Sequence, residues 1–159
     1  QALTLDRRVT LTASSIADLV AQNNNLTHAQ IDDYLTSADA LMQPALMNYY
    51  DQNAFKLVVL NIIKDDDDKL TVQWSREKTA AGGVESAEFP AGTEITAGQI
   101  SPNFDPDIVQ ANAEQIIAMA EYDYTPTVGR IISQKFGGTI KLEETFFLAP
   151  RKGFVTLDP

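Results

Sequence analysis

The chain holds one histidine, His28, and no cysteine, so almost every residue able to do chemistry is a carboxylate. His28 falls in the first turn of an expected helix, with no second histidine, thiol or serine-centred motif beside it. A triad or dyad needs several groups in mutual geometry, and a lone histidine here reads as a surface residue. Zinc asks for three or four ligands, usually His or Cys, and is excluded on that count. The run Asp65, Asp66, Asp67, Asp68 offers oxygens of the kind Ca2+ takes about six to eight of. Its spacing is not that of a calcium-binding helix-loop-helix, and consecutive turn residues point apart, so it reads as a solvated hairpin tip. Glu121 and Asp123 share a strand face roughly 7 Å apart, which is conceivable for an acid dyad. A strand with one solvated face needs such residues anyway. Glu143 and Glu144 are adjacent and point to opposite faces. Gly82-Gly83 and Gly137-Gly138 lack the strand–helix setting and the lysine of a phosphate loop. Tyr122 and Tyr124 alternate as stacking platforms do, but without basic companions they read as core or sheet surface. The expectation is a protein that is not an enzyme, with no catalytic residue, no cofactor and no metal.

Composition narrows the partners. Twelve basic against 22 acidic residues leave a formal charge of −10 over 159 residues. Phosphate backbones and anionic headgroups both select clustered Lys and Arg, so neither nucleic acid nor a lipid surface is an expected partner. The 44% hydrophobic content is that of a globular chain, and the length suits a single domain over residues 1–159. The absence of cysteine is compatible with an oxidising or a reducing compartment. No apolar run approaches the roughly 20 residues of a membrane helix.

Periodicity supplies the elements. Leu5, Val9, Ala13, Ile16, Ala17 and Val20 paint one face of a helix over residues 3–21. No cap precedes it, and a helix without a start signal at Gln1 is read as one that continues upstream. A second helix over 28–42 opens on a Thr27/Gln30 capping box, carries Ile31, Leu35 and Ala38 inward, and stops before Pro44. Strands are expected at about 55–64, 70–76, 117–125 and 139–148. The first is apolar enough to be covered on both faces. The second alternates, with Leu70, Val72 and Trp74 on one side. Residues 77–107 are read as mostly loop, with short strands near Ser86–Phe89 and Thr93–Ile95, and a helical turn is expected at Val128–Gln134. Helices followed by strands is the α+β order, with an antiparallel sheet.

Four segments, Asp6–Gln22 (DRRVTLTASSIADLVAQ), Asp68–Ser75 (DKLTVQWS), Ala120–Gly129 (AEYDYTPTVG) and Leu142–Arg151 (LEETFFLAPR), stand in an order that resembles the TadE/TadG-like pilus assembly proteins of the tight-adherence (Flp, type IVc) system. Their joint order carries the resemblance, and the stretch Pro90–Ala113 departs from it by its length. It implies a pilin-like fold, with an N-terminal helix and a second short helix packed on an antiparallel sheet. It further implies a membrane helix upstream of Gln1, a domain on the periplasmic side of the inner membrane, and a minor pilin-like or pseudopilin role. Partners would be other pilus subunits and the inner-membrane assembly platform. Leu5, Val9, Ile16 and Val20 would then either cover the sheet or serve as a subunit-packing helix face; a lone amphipathic helix ordinarily buries its stripe in its own domain. A competing expectation is a secreted or periplasmic ligand-binding or adhesive domain whose Gly82–Pro106 loop grips a glycan or Ca2+.

Overall fold

A computed structural model describes residues 2–43, 52–80, 82–125 and 139–159. Helix α1 spans Ala2–Ala21. Its stripe of Leu5, Val9, Ala13, Ile16, Ala17 and Val20 is buried to the last residue. Burying a large aliphatic side chain contributes roughly 1.5–3 kcal/mol, against a few tenths from helix propensity. Packing therefore holds α1 in place. Strand β1 (Asn25–Thr27) leads into helix α2 (His28–Met42), where Thr27 and Gln30 form the expected reciprocal cap. Ile31, Leu35, Ala38 and Met42 line its buried side.

The sheet is built from β2 (Phe55–Lys64), β3 (Leu70–Thr79), β4 (Gly82–Val84), β5 (Glu94–Ile95), β6 (Glu114–Tyr124) and β7 (Ile140–Leu148). Every pairing among them is antiparallel, in the order β4-β3-β2-β6-β7, with β5 added beside β3. The fold is α+β: among the described residues, three α-helices, counting the single turn α3 (Ala97–Ile100), with an antiparallel sheet. A separate pair joins β1 in parallel to β8 (Thr156–Asp158), which the sequence did not foreshadow.

β2 lies at the centre, and period-2 alternation sends its side chains to two cores. Phe55, Leu57 and Val59 meet α1 and α2; Val58, Leu60 and Ile62 face the opposite layer. That layer is the segment 85–113. Its Phe89, Ile95, Ile100, Phe104 and Val109 are buried on the sheet although most of its backbone is irregular. The strand expected at Ser86–Phe89 does not form; the chain bends there and drops Phe89 inward. The helical turn expected at Val128–Gln134 lies outside the described residues.

One expectation about β3 is corrected. Leu70 and Val72 face the 85–113 layer, but Trp74 sits in the helix-side core. Asn61 of β2 pairs with Trp74 and Ile62 with Val72, leaving Gln73 without a partner across the ladder. An extra residue of this kind is a β-bulge, and it shifts every later side chain to the other face. Arg76 is thereby delivered to α2, where its Nη2 donates to both Asp32 carboxylate oxygens at 2.6 and 2.8 Å, its Nε to Oδ1 at 3.1 Å, and Nη2 also to the Gly83 carbonyl at 2.6 Å. A Cβ on Gly83 would run into Asp32 Oδ1 and Leu35 Cδ1, so glycine is what lets β4 approach α2.

Candidate functional site: a charged groove beside the β7 edge

The residues singled out for chemistry scatter. His28 opens α2 directly behind the Thr27 cap. Asp65 is occupied locally, its Oδ1 accepting from the amides of Asp67 and Lys69, both at 2.9 Å. The ammonium of Lys64, almost buried, lies 2.9 Å from Asp68 and 3.7 Å from Asp107, so an internal cation already sits where a metal would be sought. Among the described residues, no group of three or more His, Cys, Asp and Glu could hold a metal ion. Tyr122 and Tyr124 are buried in the helix-side core. Gly137-Gly138 lies outside the described residues.

Of the two roles weighed for the α1 stripe, covering the sheet and packing against another subunit, the structure shows the first. Leu5, Val9, Ile16 and Val20 are between 0% and 2% exposed, packed within the chain's own core. α1 lies over β6 and β7, whose Ala118, Ala120, Tyr122 and Leu142 fill the other side of that contact. A partner would meet the outer surface of the helix, where Leu3, Leu11 and Leu19 are exposed.

A concave site forms on the face of the sheet away from α1 and α2. It is a groove of about 730 Å3 walled by residues 98–103 and floored by β2, β6 and β7. Val58, Ile100, Met119 and Phe147 line its apolar part. Phe147 is fixed there by stacking on Phe104, ring centroids 4.9 Å apart. The other end is charged. Lys56 donates to Glu88 at 2.9 Å, and Lys141 bridges Glu121 at 2.8 Å and Glu143 at 3.0 Å.

Strand register explains this cluster. Glu121 stands opposite Glu143, and Lys141 opposite Asp123, on the groove side of β6 and β7. Glu121 and Asp123 do share a face, but Glu121 is held by Lys141, and the carboxylates brought together are Glu121 and Glu143. Two like charges directly opposite repel, and Lys141 between them relieves that. Hydrogen bonds to Glu121 first, and then to Glu143, raise the Lys141 pKa against the opposing pull of desolvation. The amine is thus kept cationic and is neither base nor nucleophile near neutrality. Lys56 is likewise raised, chiefly by its bond to Glu88, with burial opposing. Nothing in local sequence spacing marks this group: Lys56, Glu88, Glu121 and Lys141 meet only through the sheet.

Among the described residues, no helix is long and apolar enough to cross a membrane. Comparison with known protein families, with curated proteins and with solved structures finds no match to this chain.

Proposed function

We propose that this chain is a minor pilin-like or pseudopilin subunit, or an assembly factor, of a tight-adherence pilus, and that it works by protein–protein packing without catalysis. The observation that carries the reading is the arrangement of α1. A 20-residue helix lies along one face of an antiparallel sheet, its inner stripe buried and its outer side bearing Leu3, Leu11 and Leu19. That is the layout expected of a pilin-like domain, and the ordered resemblance of Asp6–Gln22, Asp68–Ser75, Ala120–Gly129 and Leu142–Arg151 supports it. The reading adds an anchoring helix before Gln1, a periplasmic position for the domain, and the pilus platform as partner. Deleting the gene in a piliated strain should abolish or alter pili and surface attachment, and plasmid-borne wild type should restore both. Unchanged piliation together with unchanged adherence would end the proposal. Reading the gene upstream of Gln1 tests the anchor separately: an apolar stretch of about 20 residues is expected there.

A second reading, a ligand-binding domain, is favoured by the groove itself, since its wall of residues 98–103 comes from the long Gly/Pro segment. Calorimetry against Ca2+ and a glycan panel tests it, and heat from neither removes it.

A further inference from the structure

The two edges of the sheet are unequal. β4 is three residues long and is tied to α2 by the Asp32–Arg76–Gly83 contacts. Short, covered edges of this kind do not recruit another strand. β7 is nine residues long and ends the sheet. Among the described residues its backbone ladder runs to β6 alone. Alternate residues of an edge strand direct N–H and C=O groups outward, so β7 is a template for strand addition. Charges guard only its first half, at Lys141, Glu143 and Glu144; the second half reads Thr145, Phe146, Phe147, Leu148.

The groove runs along this edge, and its lining sets what an added strand must carry. On the groove side, β7 presents Lys141, Glu143, Thr145 and Phe147 in that order, from charged to apolar. Two lysines there, Lys56 and Lys141, face three glutamates, Glu88, Glu121 and Glu143; Glu144 turns to the helix side, where Thr10 donates to it. The excess of carboxylate favours a cation, and a second copy of the chain, itself at −10, is disfavoured. We infer that the β7 edge accepts an extended segment of a partner protein as an added strand. Its basic side chain lies against Glu143 and Glu121, and an apolar side chain four positions along fills the groove beside Phe147. Four strand residues span about 13 Å, so both groups fall on one face of the incoming strand. The inference deepens the assembly reading and rests on it for the existence of a protein partner.

The test is to pan a displayed library of random nine-residue peptides on the purified 159-residue chain, and to map the best binder by amide NMR. Recovered peptides should share a basic and an apolar residue four positions apart, and should shift residues of β7 and the groove wall. Methylating alternate backbone nitrogens on one edge of that peptide should abolish binding. Glu143→Lys should weaken it about tenfold or more, because like charges then meet; Thr145→Lys, elsewhere on the strand, should do the same. Circular dichroism must show both variants folded. The inference falls if no peptide is recovered, or if the motif is absent. It falls equally if the methylated peptide or the Glu143→Lys protein binds as well as the original, which marks simple charge attraction. Self-association through β7, seen as a concentration-dependent dimer, also overturns it. A peptide that passes while gene deletion leaves pili intact refutes the pilus and keeps the edge; lost pili with a silent edge does the reverse.

Discussion

A hydroxyl sealed inside a packed helix must find a partner or bear its desolvation alone. Thr12 is fully buried on α1 and its Oγ1 has no hydrogen-bond partner among the described residues. Replacing such a group by an apolar one of the same shape removes a penalty of roughly 1–3 kcal/mol. Thr12→Val should therefore stabilise the fold by about 1 kcal/mol, read as a higher urea midpoint; an unchanged or lower midpoint would contradict it. Lys64 supports a second prediction. Its pKa is raised above the ordinary 10.5, first by the bond to Asp68, with burial opposing. Lys56 and Lys141 are raised too. Unfolded lysines release protons near 10.5, while the folded ones hold them longer, so above that pH the unfolded state binds fewer protons and stability declines. The contribution should be whole up to about pH 10 and fade as pH rises further, and Lys64→Met should flatten the fall seen in chemical denaturation. At this scale the sequence was a fair guide to what residues are and a poor one to whom they meet. The solvated reading of Asp65–Asp68 needed only turn chemistry, whereas Glu121, Lys141 and Glu143 come together through register between strands.

Among elements, the C-terminal segment is held most specifically. Glu114 Oε2 accepts from Asn61 Nδ2 at 2.6 Å and from the Val155 amide at 2.8 Å. The Val155 carbonyl accepts from Trp74 Nε1 at 2.8 Å and from Asn61 at 3.0 Å. Hydrogen bonds to a charged group are worth about 1.5–3 kcal/mol each. Glu114→Ala should destabilise by at least about 2 kcal/mol. It should also speed amide exchange of residues 155–158 and move Trp74 emission to the red, and native-like exchange there would show that the carboxylate is incidental. Helices α1 and α2 and the strands β2, β6 and β7 were legible because each carries either an unbroken period or, in β2, a long apolar run, and α2 adds its Thr27/Gln30 cap. The face of Trp74 was not. A bulge at Gln73 leaves no mark in alternation, since it is fixed by where β3 must sit against Asn61. The 85–113 layer escaped for a related reason: Phe89, Ile95, Ile100, Phe104 and Val109 follow neither helical nor strand spacing, so their burial depends on the sheet beneath them.

For the molecule as a whole, a charge of −10 bears on stability and on solubility. Self-repulsion weakens a compact state, and it reaches farther at low salt, where the screening length is roughly 30 Å at 0.01 M against about 10 Å at 0.1 M. The exposed ion pairs, such as Lys69–Glu94 and Arg151–Asp18, lose little when screened. Raising salt over that range should therefore lift the melting temperature by about 2–4 °C, as a gain near 1 kcal/mol does at this size; a fall would mean that attraction between charges dominates. The α+β class was readable from element order, but strand order and the parallel β1–β8 pair were not, because both are settled by contacts between distant parts of the chain. That last pairing bears on biosynthesis. Trp74 and the Val155 carbonyl that it seeks are 81 positions apart. At roughly 5–20 residues per second, a growing chain leaves the indole unanswered for some 4–16 s. Through that interval this end of the helix-side core stays open, and it closes only when Val155 arrives to accept from Trp74 and Asn61.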